Sequence, residues 1–252
     1  MCLLAWCADA PDETSVHFFP LFIWTDRNFS LRFRAMNWHE LSQGLASYLC
    51  VVLIITVHEF GHAWMANRCG DDTARLLGRI TLNPVAHIDL VGTVILPLLV
   101  VVLIATGSGG VASFIIGWGK PVPVNPFNFR YRVRDDILVA MAGPAMNVVL
   151  AIIAMGVARI AFAADVSIIV EAAFNLTIIS MFLCFFNLMP VPPLDGSHVM
   201  KYLVGLSHET FMNLCRYGFF IVIVLIQVPF VRRILANATE GSFEMLHRLY
   251  RF

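Results

Sequence analysis

The stretch Val57-His-Glu-Phe-Gly-His-Ala-Trp64 closes a charge-free run that begins at Leu41. On a helix, His58 and His62 share one face about one turn apart, a spacing that lets two imidazoles bind one zinc ion. Glu59 between them is then the candidate base. A His-Glu-x-x-His pattern also arises by chance, with the histidines bonded only to neighbouring groups. The apolar surroundings favour a metal site, because ionisable groups in an apolar helix cost several kcal/mol unless they are paired or bind a metal.

The composition is that of a polytopic membrane protein. Of the 252 residues, 59% are hydrophobic and 13% are charged, whereas about 25% of an ordinary soluble domain is charged. The formal net charge is zero, so nothing indicates a nucleic-acid partner. The six cysteines lack Cys-x-x-Cys spacing and predict neither a disulfide framework nor a cysteine metal site. We expect one membrane-embedded unit without a separate soluble domain.

The apolar segments predict an all-α fold with about four transmembrane helices. The second is expected to be interrupted at Gly143-Pro144, and the last could begin as early as Phe211. Arg232-Arg233 would open a mixed C-terminal tail. The four predicted segments are 41–66, 137–163, 167–189 and 217–231.

Residues 91–118 predict a re-entrant hairpin instead of a crossing. Val91–Thr106 is apolar but only sixteen residues long, which is about 24 Å as a helix. After a glycine-rich break, the eight residues Val111–Trp118 would reach about 26 Å as an extended strand. A helix that enters the membrane and a short β element that returns from it would therefore have similar lengths. Such a hairpin must be buried in protein or line a wet cavity, which places it against the helices of the candidate site.

The segment Lys120–Pro126 cannot be helical, because three prolines lack amide donors and push each preceding residue toward extended geometry. It is either a rigid connector or an edge element that binds substrate. In the second hypothesis, Val122, Val124 and Asn125 keep N–H donors free to pair with an incoming extended chain.

Three further polar residues each allow two interpretations. Asn147 shares a helix face with Gly143, and either makes one interhelical hydrogen bond or donates to a substrate or transition state. Asp195 follows a proline break, and either caps the helix that carries His198 or supplies a third metal ligand. His87 is either an extra active-site group or a surface histidine, and the surface interpretation is favoured.

Five motifs follow one another between residues 58 and 196, and the resemblance that they carry extends over roughly residues 41–205. They are His58-Glu-Phe-Gly-His62, Arg75–Asp89, Gly117–Pro126, Ala142–Asn147 and Asn187–Gly196. In this order they resemble the site-2 protease family of intramembrane zinc metalloproteases, in its compact bacterial branch without a PDZ domain. Each motif alone is weak, whereas the ordered set is specific.

The resemblance implies that His58, His62 and Asp195 bind Zn²⁺, that Glu59 is the catalytic acid/base, and that Asn147 assists near the metal. It implies an endopeptidase of the bacterial cytoplasmic membrane that cleaves transmembrane segments of other proteins. Residues 1–40, an N-terminal extension, and 206–252, a last transmembrane helix and tail, lie outside the protease core. A translation start at Met36 is one explanation for the different composition of the extension.

Two other classes of function stay open on the sequence. A divalent-metal transporter could also place histidine and aspartate in membrane helices, but it would not need a glutamate between the histidines, and no inverted repeat is visible. A non-catalytic relative that binds membrane proteins would lack part of the site, whereas all four groups are present here. A protease acting on transmembrane proteins within the lipid bilayer is favoured.

Overall fold

The computed structural model describes residues 38–106 and 118–252, which are mostly helical. The long elements are separated by short turns, with 3₁₀ turns at Pro84–Ala86 and Pro126–Asn128. In chain order the helices are α1 (Trp38–Cys69), α2 (Thr73–Leu76), α3 (Leu90–Ala105, opening with a π-helical turn), α4 (Arg132–Ala163), α5 (Ser167–Asn187), α6 (Gly196–Val204), α7 (His208–Gln227) and α8 (Pro229–Leu249).

Three of these helices are long and apolar enough to cross a membrane. They are Leu41–Cys69 within α1, and the whole of α4 and α5. Helix α7 would add a fourth crossing if its two halves, bent by 61° between Gly218 and Phe220, form one span. The predicted all-α membrane fold is therefore confirmed in outline, and the count of about four crossings stays a prediction.

Helices α1, α4 and α5 form an antiparallel layer whose inner contacts are very close. Arg130 N–H donates to the Cys69 carbonyl (3.1 Å), so α4 begins where α1 ends and runs back along it. A Cβ on Gly61 would lie 2.7 Å from Met146 Cγ and 2.8 Å from the Ala142 carbonyl oxygen. Small residues at such a crossing let the backbones approach, which drives helix packing in membranes. The end of α1, the start of α4 and the end of α5 consequently lie at the same end of the layer.

Helix α4 is continuous through Gly143-Pro144, so the predicted interruption was wrong. A proline inside a helix removes the hydrogen bond to the carbonyl four residues earlier, here that of Ala140. Pro144 is fully buried in a helix that packs against both α1 and α5. Packing on both sides outweighs this local loss, as membrane helices commonly allow.

The predicted hairpin over 91–118 is only partly within the described residues. Trp118 N–H donates to the Gly92 carbonyl (3.1 Å), and Thr93 Oγ1 donates to the Trp118 carbonyl (2.7 Å). The chain has thus returned to the first turn of α3 by residue 118. The β element predicted for 111–118 falls almost wholly on residues outside the described ranges, and those ranges contain no strand.

The C-terminal part differs from the prediction in two ways. Helix α7 starts three residues before Phe211 and ends at Gln227 instead of Val231. The expected mixed tail is the 21-residue helix α8, and its buried Leu246 packs with Met155 of α4 and Phe174 of α5. The mixed composition is that of an amphipathic helix, whose buried positions include Leu235 and Leu246.

Candidate metal centre

Three potential ligand side chains converge in the half of the layer that contains the C-terminal ends of α1 and α5, with His62 seven residues before the end of α1. His58 Nε2 lies 3.0 Å from His62 Nε2, and the Asp195 carboxylate oxygens lie 3.2 Å from His58 Nε2 and 3.5 Å from His62 Nε2. A tetrahedral zinc site with ligand distances of about 2.0–2.1 Å has edges of about 3.3 Å. The donor set and its spacing therefore fit Zn²⁺, with three protein ligands and one corner left open.

Helix α4 packs against both histidine rings and forms a hydrogen bond with one of them. His62 Nδ1 lies 2.7 Å from the Val139 carbonyl oxygen, which can only accept, so Nδ1 carries a hydrogen. In the neutral ring, Nε2 then keeps the lone pair that a metal needs. A Cβ on Gly143 would lie 2.3 Å from His62 Nε2 and 2.6 Å from His58 Cε1. Only glycine leaves room for both rings, a steric role that the sequence analysis missed.

Asp195 immediately precedes α6 but makes no capping hydrogen bond with its side chain, so the capping interpretation was wrong. The chain folds back tightly at this point, because a Cβ on Gly196 would lie 2.1 Å from the Leu188 carbonyl oxygen. This tight return directs the carboxylate toward His58 and His62.

A cavity of about 580 Å³ opens beside these three residues, and two further candidates line it. Glu59 Oε2 accepts a hydrogen bond from Val122 N–H (2.9 Å). Asn147 is fully buried, and neither atom of its side-chain amide has a hydrogen-bond partner within the described residues. The interhelical bond at this position uses its backbone carbonyl, which accepts from Ser180 Oγ (2.8 Å). Buried polar groups normally have partners, and a ligand in the cavity could supply one for this amide.

The sequence model of peptidase family M50 matches residues 46–167 and 157–226. The chain belongs to peptidase family M50. This confirms the resemblance to the site-2 proteases, and the protein is an integral membrane protein and a zinc metalloprotease of that family, with Zn²⁺ implied as its cofactor.

Bacterial relatives carry names that agree with the family. "Putative zinc metalloprotease YwhC" of Bacillus subtilis is 34% identical over 216 residues, which cover 82% of this chain and 92% of YwhC. "Putative zinc metalloprotease Rip2" of Mycolicibacterium smegmatis is 30% identical over 186 residues, or 72% of this chain and 66% of Rip2. The Rip2 of Mycobacterium tuberculosis is 30% identical over 142 residues, or 56% of this chain and 51% of that protein. No solved structure matches the chain.

In this M50 protease, several hydrogen bonds tie the segment Lys120–Asn128 to the rest of the molecule. Arg79 Nη2 donates to the carbonyls of Lys120 (3.2 Å) and Pro121 (2.8 Å). Glu59 binds Val122 N–H as described above, and the buried Asp71 accepts from Asn125 N–H (2.7 Å). Residues 120–125 are non-helical, as predicted, and Pro126 begins the 3₁₀ turn Pro126–Asn128.

These contacts correct the expectation that three donors are free for substrate. The N–H groups of Val122 and Asn125 are already bonded to carboxylates. Val124 N–H donates to no acceptor within the described residues, and Val124 lines the cavity. Val124 is therefore the predicted donor that stays available.

Asp71 is an anchor that the sequence analysis did not single out. Its carboxylate also accepts from Thr73 N–H (3.1 Å), Thr73 Oγ1 (2.5 Å) and Asn128 Nδ2 (2.8 Å). Burial acts to raise the pKa of Asp71, but the hydrogen bonds from Thr73, Asn125 and Asn128 outweigh it and hold the pKa below its usual value. The pair of acidic residues after Gly70 could have indicated a turn, but not its partners.

His87 is buried, so the surface interpretation was wrong. Its Nε2 lies 2.9 Å from the Thr81 carbonyl, and its own carbonyl accepts from Lys120 N–H (2.9 Å). His87 does not line the cavity. Its two hydrogen bonds instead attach residues 81–87 to Lys120. The polar sequence around His87 did not indicate that residues 81–87 fold back against Lys120.

Proposed function

We propose that this protein is an endopeptidase of the bacterial cytoplasmic membrane that hydrolyses peptide bonds in or near the transmembrane segments of other membrane proteins. The observation that carries the proposal is the meeting of His58, His62 and Asp195 with Glu59 on one cavity wall. This cavity lies among the apolar spans, since residues from within α1, α4 and α5 line it. A transmembrane segment of a substrate can therefore reach it from within the bilayer.

The roles follow from the chemistry of the side chains. His58, His62 and Asp195 would hold the zinc ion, which would supply a Lewis acid for the scissile carbonyl and lower the pKa of water. Glu59 takes a proton from the attacking water and returns it to the departing amine. The Asn147 amide donates toward the carbonyl oxygen as negative charge develops on it.

Substrate must reach the site as extended chain, because a helix uses its carbonyls in its own hydrogen bonds. In an extended segment alternate residues point their N–H groups to the same side, so Val122 and Val124 face one way and Asn125 the other. Val122 already points its N–H at Glu59. We therefore place β-addition of substrate at Val122–Asn125, with Val124 as the first available donor. The competing hypothesis is that the segment only spaces α3 from α4.

The test is a comparison of membrane-protein fragments in cells that express the wild type or Glu59→Gln at equal levels. We expect fragments ending within or beside transmembrane segments in the wild type alone. Purified wild type should then cut a peptide spanning such a segment in detergent micelles. Equal fragment patterns, together with no cleavage by zinc-loaded wild type, would contradict the proposal.

A further inference from the structure

Next to the metal centre, three side chains of α6 converge on one carboxylate of α4. Asp136 is 4% exposed and lies close to His198 Nδ1 (3.0 Å), the Tyr202 hydroxyl (2.6 Å) and Lys201 Nζ (3.5 Å). All three groups act as donors, since the carboxylate can only accept. Within the described residues no other side-chain hydrogen bond joins α6 to α4.

The position of this cluster relates it to both halves of the metal centre. His198 lies three residues after Asp195, and Asp136 lies three residues before Val139, whose carbonyl accepts from His62 Nδ1. Residues three apart on a helix lie on the same face about one turn apart. The hydrogen bond from His198 to Asp136 thus joins α6 to α4. It does so about one turn from the ligand Asp195 on one side and from Val139, which binds His62, on the other.

The cluster is also well suited to fix a distance. Helix α6 has only nine residues and follows a proline-rich turn. Its length alone therefore does not fix its position along α4. Apolar contacts allow sliding, whereas a buried carboxylate without its donors pays a large desolvation cost. With three donors on one carboxylate, a shift of α6 along α4 would break several hydrogen bonds together.

We propose that Asp136 and His198 are positioning residues for the metal: their hydrogen bond fixes α6 against α4 so that Asp195 stays within binding distance of His58 and His62. This inference rests on the ligand set of the proposed function. It assigns no contact with substrate to either residue. Its consequences are therefore expected first in metal binding and only through that in hydrolysis.

The central variant is His198→Phe in the full chain, purified in detergent. It keeps a ring against Phe211, whose centroid lies 5.2 Å from that of His198, and removes the donor to Asp136. Chelator competition should show zinc binding about tenfold weaker, as for other groups that orient metal ligands. The visible spectrum of the Co²⁺-loaded protein should change, because the ligand geometry changes.

Two further variants separate positioning from general stability. His198→Asn places an amide N–H near the position of Nδ1, and it should restore zinc affinity and the Co²⁺ spectrum toward wild type. Tyr250→Phe removes a hydroxyl bond to the Ile152 carbonyl (3.0 Å) elsewhere on α4, and it should change neither. Should His198→Phe fail to fold, Tyr202→Phe provides a second variant that removes a donor to Asp136. It is expected to lower zinc affinity about threefold, less than the ~10-fold typical of groups that orient metal ligands.

Wild-type zinc affinity and Co²⁺ spectrum in a folded His198→Phe or Tyr202→Phe protein would overturn the inference, as would equal losses in His198→Phe and His198→Asn. If the wild type itself binds no zinc at this site, the proposed function falls together with the inference. If the wild type binds zinc and cleaves, and only the variants behave as wild type, the inference alone fails.

Discussion

Two carboxylates of the α1 region bind the segment Lys120–Asn128, one toward each end, and they differ in burial and in the number of hydrogen bonds that they accept. At the far end, Asp71 is fully buried and accepts from Asn125 together with Thr73 and Asn128. At the near end, Glu59 is only half-buried, lines the cavity, and accepts one hydrogen bond from Val122. A carboxylate whose acceptor sites are filled serves structure, and one with free capacity beside a metal site can exchange protons.

The largest effect that tests this comparison is expected from Glu59→Gln. The amide keeps the size of the side chain but cannot take up a proton, so hydrolysis should fall by about 10²–10⁴-fold. Zinc content and thermal stability should stay near wild type, because Glu59 is not in the ligand set. Turnover of a transmembrane substrate and zinc content are measured on the same preparation. Near wild-type turnover would remove Glu59 from the chemistry.

A third carboxylate, Asp195, sharpens the comparison by separating metal binding from proton transfer. Asp195→Ala should lose zinc as well as activity, because two imidazoles alone hold the ion weakly; a loss of affinity of about 100-fold is expected. Zinc content after dialysis against a weak chelator gives the readout. Full zinc retention would point to another third ligand, and His198 would be the first residue to examine.

Proline substitutions at Val122 and Val124 should have different effects, because Val122 N–H is bonded to Glu59 whereas Val124 N–H stays available. Val124→Pro removes the donor that stays available and should slow cleavage about tenfold, in line with one lost main-chain hydrogen bond. Zinc content and fold should be unchanged, and Val124→Thr should have little effect. Cleavage rates in micelles provide the measurement. Unchanged turnover in a stable Val124→Pro protein would make the segment a spacer.

Val122→Pro removes the hydrogen bond to Glu59 instead. We expect it to lower kcat through a misplaced base even on short soluble peptides that need no strand pairing. Val124→Pro should leave the cleavage of such peptides intact. Equal behaviour of the two variants on both substrates would contradict separate roles for the two donors.

Local spacing predicted the part of the site that lies within one element, and little of what connects elements. His58 and His62 are one helical turn apart, so their shared face follows from the sequence alone. The bonds from Glu59 to Val122 and from Asp136 to His198 join residues 63 and 62 positions apart. Periodicity tells which face of a helix is polar, but not which distant segment meets that face.

Local rules were also overruled where packing is strong. Proline geometry predicted a break at Pro144, but burial between neighbouring helices keeps α4 continuous. The mixed composition after Arg232 suggested a tail, whereas helical spacing of a few apolar residues was enough to dock α8. Asp195 stayed ambiguous for a related reason: its place before α6 suits a cap, and only the fold brings it to the histidines.

The smallest effect is expected at the structural end, from Asp71→Asn. The amide keeps the size of the side chain but is a weaker acceptor and turns an N–H toward one of the donors, so the loss should be about 1–3 kcal/mol in stability at neutral pH. Activity per folded molecule should hardly change, since Asp71 does not line the cavity.

The pKa of Asp71 is lowered in the folded state, so its contribution to stability is complete above the unfolded pKa of about 4 and is lost as the pH falls toward the folded pKa. The difference in thermal unfolding between wild type and Asp71→Asn should therefore be constant above about pH 5 and shrink below pH 4. A difference that does not vary with pH, or a loss of turnover as large as that of Glu59→Gln, would mean that the two carboxylates are not divided between structure and chemistry in the way their hydrogen bonds indicate.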